Sequence, residues 1–277
     1  MNAATEQAVA RHYGDSSIEE KILNALRATG KDVDHLTTED LAPVDEFHIG
    51  GRSATVDIAG AMKLTPGIQL LDVGCGIGGP ARYFAAHHGA RVTGIDLTPE
   101  FIDTAKALTS RLHLDKLVSW HCGSGLDLPF GDASFDGAYI FHVGMNISDK
   151  AGLFGEVRRV LKPGSVFAVY EVMHTGPGDI SFPVPWAQTG ETSFVAMPEN
   201  YRELLQAAGF RINSERNRSE FALQFFAAMR ARMEGQAPSP LGLPLVMGPT
   251  APLKIGNMVA NLASGLIAPV EMICEAV

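Results

Sequence analysis

The chain has 277 residues, 46% apolar and 19% charged, which excludes a disordered or fibrous protein and leaves room for one large α/β domain or two small ones. A formal net charge of −9 repels phosphate backbones, so nucleic acid is a poor partner. No stretch approaches 18 uninterrupted apolar residues and the N-terminus lacks the basic start and apolar core of a leader. A cytoplasmic chain without a membrane partner is therefore expected. Three widely spaced cysteines, Cys75, Cys122 and Cys274, read as free thiols, with neither a disulfide framework nor zinc spacing.

In chain order, residues 1–66 read as a helical cap. Ser17 is placed to cap a helix carrying Ile18, Ile22, Leu23 and Leu26 at helical spacing, with Glu19 and Glu20 in its first turn. Leu41–Gly51, punctuated by Pro43, Gly50 and Gly51, reads as an ordered loop, and a short helix follows over Arg52–Met62. From Gln69 the pattern changes. Strands are expected at Gln69–Val73, Arg91–Asp96, Val118–Cys122, Gly137–Phe141 and Ser165–Met173. Helices are expected at Gly79–His88, Pro99–Leu112 and Ala151–Leu161. Strands separated by helices of this length indicate βαβ units and a parallel sheet. The Gly- and Pro-rich stretch 174–198 reads as a lid-like insertion. A helix at Pro198–Ala208 and a strand at Phe210–Ser214 come next. Then a helix over Ser219–Glu234, capped by Ser219, carries Phe221, Phe225, Phe226 and Met229 as core, and a loop, a short helix and a last strand at Leu266–Ala276 finish the chain. The expectation is one structural unit, with a cap at 1–66 and an α/β domain at 67–277.

The sharpest local feature is Leu70-Leu71-Asp72-Val73-Gly74-Cys75-Gly76-Ile77-Gly78-Gly79, a glycine loop between a strand and a helix, where missing side chains let the backbone approach a ligand. Asp96 closes the next strand, where a carboxylate can grip a ribose diol. The glycine spacing alone also permits a dinucleotide or a ligand-free tight turn. Asp72 tips the balance, because a carboxylate there repels a pyrophosphate and favours a sulfonium ligand with a free ammonium group. A purely structural hydrogen bond to the loop is its plain alternative.

LLDVGCGIGG, VTGIDLTPEFIDTAK, LDLPFGDASFD and RRVLKPG, in this order, resemble the motifs of class I S-adenosylmethionine-dependent methyltransferases across about residues 65–175. The flanks LTTEDLAPVDEFHIGGR, FHVGMNISDK and SFPVPW resemble the small-molecule sarcosine/dimethylglycine group. The resemblance implies a Rossmann-like, seven-stranded, mostly parallel sheet with helices on both faces, and S-adenosyl-L-methionine as cofactor. It places Gly74, Cys75 and Gly76 on the methionine portion, Asp96 on the ribose, Leu97 on the adenine, and the segment Ser124, Gly125 and Leu126 beside the adenine amino group. Ser124 stands where the family pattern has Asp, so a hydroxyl or backbone group must serve there.

An activated methyl requires no covalent nucleophile, so Cys75 reads as a small apolar filler in the loop. A base is needed only for an acceptor that arrives protonated. His142, just past the fourth parallel strand, is the candidate base, with a role in hydrogen bonding cofactor or substrate as its alternative. Tyr13 and His48 in the cap are further catalytic candidates, with ordinary packing roles as the alternative. Met145, Asn146 and Trp186 are candidate acceptor contacts, Asn146 also suiting a helix entry and Trp186 the core of the insertion. Arg52 suits a carboxylate or plain solvent. His87 and His88 suit a helix C-terminus, and no metal is expected.

Methyl transfer to a small molecule is thus the expected activity. An amine nitrogen is the first acceptor, with phenolic or enolic oxygen and natural-product carbon behind it. A non-catalytic cofactor binder and, last, an NAD-dependent oxidoreductase are the other classes; a homodimer is allowed.

Overall fold

The computed structural model describes residues 18–235 and 239–277. Three helices come first: α1 (Ile18–Ala28), α2 (Thr38–Asp45) and α3 (Gly51–Met62). Then β1 (Gln69–Val73), α4 (Gly79–His88), β2 (Arg91–Asp96), α5 (Pro99–Arg111), β3 (Val118–Cys122) and β4 (Phe135–Phe141) alternate. They are followed by α6 (Lys150–Val160), β5 (Leu161–His174), α7 (Pro198–Ala207), β6 (Phe210–Asn217), α8 (Ser219–Met233), α9 (Pro244–Met247), α10 (Ala251–Ala263) and β7 (Ile267–Ala276).

The seven strands form one sheet in the order β3-β2-β1-β4-β5-β7-β6, parallel except that β7 runs antiparallel to both of its neighbours. This is the doubly wound sheet with helices on both faces that the sequence motifs imply. Alternate strand residues feed the two faces. Leu71, Val73, Ile140 and Val169 pack with Leu153, Phe154 and Val157 of α6 and Leu205 of α7. Leu70, Val92, Tyr139 and Phe141 pack with Ile58 of α3 and Ala81 and Phe84 of α4.

Leu41–Gly51 is not a loop throughout. Its first half belongs to α2, in spite of Pro43, because Thr37 and Asp40 close a reciprocal capping box at the helix N-terminus. Two of the four orphan amides are thereby satisfied before the proline is reached. Ser219 is the first helical residue of α8 and not its cap; Asn217 Oδ1 accepts from the Ser219 amide instead. Phe225, Phe226 and Met229 are half-exposed rather than core, and Ala222 is the buried residue of α8.

Because β6 runs parallel to β5, α8 starts at the sheet edge where the parallel strands end, and 49 intervening residues return the chain to β7 at that same edge. The 174–198 segment leaves β5 there too. A cluster of Ile49, Met145, Val172, Val184, Trp186, Ala222, Met258 and Leu262, with Phe226 partly buried against it, ties the α2–α3 link to both excursions. Leu241, Leu245 and Val246 pack with α1 and with Phe47, Ile77 and Phe101, so the second excursion also reaches the cap. Among the described residues no helix is long and apolar enough to cross a membrane.

Candidate active site

The carboxyl ends of β1 and β2 create the centre of the site. Gly74, Gly76 and Gly78 all have positive φ, and two of them are also sterically required. A Cβ on Gly74 would lie 2.3 Å from Val143 Cγ2, and one on Gly78 would lie 2.1 Å from Trp120. The amides of Gly74 and Cys75 both donate to the Ile95 carbonyl, at 2.8 and 3.1 Å, stitching the loop to β2. Asp96 accepts from the amides of Gly76 and Thr98, each at 2.9 Å, so one carboxylate holds the loop and the entry to α5 together.

Asp72 lies beneath this loop, 2% exposed. Its Oδ2 closes no hydrogen bond among the described residues, and neither does the buried Tyr139 hydroxyl. Burial pushes its carboxyl up to about 8; the adjacent Tyr139 hydroxyl opposes the rise, and Asp96 and Glu46 add to it. A buried carboxyl with one oxygen unpaired among the described residues, next to a backbone cradle, fits a cationic ligand group. Cys75 is buried and its thiol is pushed well above the usual range, chiefly by burial, so it is an inert filler. Leu97, Ser124, Gly125 and Leu126 line the neighbouring strand ends and are half-buried. Ser124 Oγ accepts from the Leu126 amide at 3.2 Å, which shapes the turn after β3.

His142 does not stand free as a base. Its Nδ1 donates to the Tyr170 carbonyl at 3.0 Å and its Nε2 accepts from the Ile49 amide at 3.2 Å, so both ring nitrogens are used. Burial lowers its pKa to about 3, with His48 adding to the effect. The neutral ring pins the cap to β5. His48 is likewise turned inward: its Nε2 lies 3.1 Å from both the Gly51 carbonyl and Thr55 Oγ1. Burial lowers it to about 4. At neutral pH neither imidazole gains a proton readily where it stands. Tyr13 lies outside the described residues.

Asn146 and Trp186 tie the insertion together. Asn146 Nδ2 donates to the Trp186 carbonyl at 2.8 Å, and Trp186, 2% exposed, donates its indole N–H to Ser193 Oγ at 3.0 Å. Met145 is buried beside them and its carbonyl accepts from the Phe194 amide at 2.7 Å. Arg52 is spent on Glu46, at 2.6 Å, and stacks over Tyr83. His87 stacks on Tyr83 as well, 4.5 Å between centroids, and faces Glu39.

Several residues complete the site without a motif to mark them. Phe47 stands 3.2 Å from a Cβ built on Gly76 and meets Phe101 edge-on, so it covers the loop from the cap side. Val143 covers it from β4. Arg82 and Asp45 form a fully buried ion pair at 2.8 Å between α4 and α2. Glu171 sits wholly buried in β5. Only this last has a usable sequence signal, a lone carboxylate inside the apolar run FAVYEVM.

Residues 71–169 match the family model described as a methyltransferase domain. Residues 71–169 are thus a methyltransferase domain by sequence, set on a seven-stranded Rossmann-like sheet. Over 118 residues it is 42% identical to 24-methylenesterol C-methyltransferase 2 of Oryza sativa subsp. japonica, a match covering 43% of this chain and 32% of that protein. The chain therefore aligns with about a third of the length of the sterol methyltransferases it matches. It is 31% identical to the O-methyltransferase resE of Aspergillus sclerotiorum, over 63% of this chain and 66% of that one. Among solved structures, a geranyl diphosphate methyltransferase in complex with GPP and sinefungin superimposes with a TM-score of 0.73 over 99% of this chain and 100% of its own, at 16% identity. The structure assigned to sarcosine dimethylglycine methylation, from Galdieria sulphuraria, gives 0.60 at 19% identity over 80% and 82%. These identities speak for the fold, so the methyltransferase domain stands without the sarcosine/dimethylglycine assignment.

Proposed function

We propose that this chain binds S-adenosylmethionine over the glycine loop and transfers its methyl group to a small, largely apolar acceptor. The observation that carries the proposal is the buried Asp72 carboxyl, its Oδ2 unpaired among the described residues, beneath a loop in which Gly74 and Gly78 admit no side chain. Asp96 would hold the ribose hydroxyls, the Gly74–Gly76 backbone the methionine portion, and Leu97 and the Ser124–Leu126 turn the adenine. When bound, the cofactor supplies an electrophilic methyl on a sulfonium. The protein's share is to orient the acceptor in line and to exclude water, which together contribute on the order of 7–11 kcal/mol in favourable cases. Phe47 and Val143 cover the loop, and the apolar cluster from Ile49 to Leu262 dries the space beside it.

That apolar surround favours carbon or oxygen of a lipophilic acceptor, in keeping with the sterol C-methyltransferase and O-methyltransferase names of the sequence relatives. An amine nitrogen is the second reading. It is favoured by the two locked histidines, since a neutral amine brings its own lone pair and needs no base for the methyl step. A cytoplasmic location and a homodimer belong to the same proposal.

The test is calorimetric titration with S-adenosylmethionine, S-adenosylhomocysteine and NAD, followed by mass-spectrometric methyl transfer from labelled cofactor to sterols, phenols and amines. Binding of the first two and not of NAD is expected. Asp96→Ala should weaken binding at least about tenfold, as loss of charge-assisted hydrogen bonds does. Unchanged affinity in that variant would remove Asp96 from the site, and NAD binding would overturn the cofactor.

A further inference from the structure

Glu171 is a buried carboxylate outside the proposed cofactor contacts, and the role inferred for it rests on the S-adenosylmethionine site only where cofactor affinity is concerned. It lies in β5 with 0% exposure. Its two oxygens accept from the Val143 amide at 3.0 and 3.1 Å, and Oε1 also accepts from the Gly144 amide at 2.9 Å. These amides belong to the turn that leaves β4. The turn carries His142 at a φ of 56°, a left-handed conformation uncommon for a side chain of this size. Val143 is the residue whose methyl groups exclude any side chain on Gly74.

We propose that Glu171 is a positioning residue: by gripping the Val143 and Gly144 amides it holds the post-β4 turn against the first glycine of the cofactor loop, and so sets cofactor affinity from beneath. His142 holds the same turn from the other side through Ile49 and Tyr170. The hold is asymmetric in charge, because the imidazole is neutral while the carboxylate must be ionised to offer both oxygens as acceptors. Protonation at Oε2 weakens its contact to the Val143 amide and leaves Oε1, with less charge, to accept from both amides.

The turn's amides, Met145 included, and the side chains packed on it bear on that ionisation. Burial raises Glu171 to about 7, and the Val143 and Gly144 amides and Lys150 oppose the rise. Lys150 on α6 donates to the Ile147 and Phe194 carbonyls at 2.9 and 2.6 Å. From α7 the Tyr201 hydroxyl, buried and without a hydrogen-bond partner among the described residues, stands 2.6 Å from a Cβ built on Gly144, and the Glu171 carboxyl carbon stands 3.2 Å from that same Cβ. Lowering the pH through 7 should therefore loosen the turn, and Glu171→Gln should loosen it at every pH.

Two readouts on the full chain decide the matter. The first is hydrogen–deuterium exchange of a peptide spanning 141–147, without ligand and corrected for intrinsic rates. Faster exchange at pH 6 than at pH 8 is expected in the parent, and fast exchange at both in Glu171→Gln. The second is S-adenosylhomocysteine affinity by calorimetry, with Glu171→Gln about tenfold weaker than the parent at pH 8 and the difference shrinking towards pH 6. Asp72 titrates in both proteins, so the difference between them carries the result. Exchange that ignores both pH and substitution, or equal affinities, overturns the proposal. A parent that binds no S-adenosylhomocysteine sinks the cofactor reading alone, and the exchange arm still judges Glu171. Should Glu171→Gln not fold, Glu171→Asp and the parent's pH series decide: pH-independent exchange in both overturns it.

Discussion

Asp72 shows how a single side chain can be poised for a ligand at the expense of the free protein. Its carboxyl, pushed up to about 8 mainly by burial, keeps a proton in the folded chain that the unfolded chain releases near pH 4. The folded state thus binds more protons across that window, and its stability falls as pH rises from about 4 to about 8. An ammonium group arriving beside Asp72 reverses the preference, so cofactor binding at pH 7 should expel close to one proton. Calorimetry with S-adenosylhomocysteine at pH 7 in two buffers of different ionisation enthalpy will show this as a buffer-dependent heat. Asp72→Asn should abolish the buffer dependence, weaken binding, and raise the Tm of the free protein by a few degrees near pH 8, at about 2–4 °C per kcal/mol. A binding heat that is the same in both buffers would leave Asp72 as a structural group.

At the scale of elements, the α2 segment is held onto the glycine-loop helix by charge. Arg82 and Asp45 are 0% and 1% exposed, and Arg82 also lies within 3.3 Å of Thr109 Oγ1 on α5, yet Asp45 Oδ1 and Arg82 Nε find no partner among the described residues. A backbone contact adds to this, since a Cβ on Gly79 would fall 2.1 Å from the Asp45 carbonyl oxygen. Removing one member strands the other in a dry site and should cost about 3–5 kcal/mol, whereas removing both should cost much less. Arg82→Met and Asp45→Leu singly, then together, followed by denaturant unfolding, will measure it. A double variant no more stable than either single one would rule out an uncompensated charge as the cause. None of this was legible in sequence, because the partners lie 37 residues apart and neither sits in a recognisable pattern. The sheet was legible for the opposite reason. Strands β1, β2 and β4 are short runs beside amphipathic helices, and the glycine loop marks the first crossover. The α2 helix was hidden by Pro43, although its Thr37–Asp40 box was there to be read. The locked histidines were hidden because a sequence places His142 at a strand end without revealing that the Ile49 amide occupies its Nε2.

For the whole molecule, a large share of the polypeptide gathers at one sheet edge. The α2–α3 link, the 174–198 segment and the long return from β6 to β7 meet beyond the ends of β4 and β5 in an apolar cluster, and Asn257 and Asn261 donate to the Pro183 and Ser181 carbonyls beside it. Surface clefts near Gln69, Arg91 and Ser119, and near Leu36 and His87, lie away from this edge. Along α8, a 15-residue helix with ten apolar residues, Ala222 is the buried one, and Phe225, Phe226 and Met229 stay half-exposed. On the proposed methyl-transfer reading, an aromatic face left part-open beside the Ile49–Leu262 cluster suits a lipophilic acceptor, because each ring buries a large apolar area without demanding hydrogen bonds. Phe226 is the test position, since it already touches the apolar cluster while remaining partly exposed. Phe226→Ser should raise KM for an apolar acceptor by about ten- to a hundredfold, the equivalent of ~1.5–3 kcal/mol of lost burial, while leaving S-adenosylhomocysteine affinity within about twofold. A fall in kcat at unchanged KM would instead place Phe226 in orienting the acceptor, and no change in either would detach α8 from acceptor recognition.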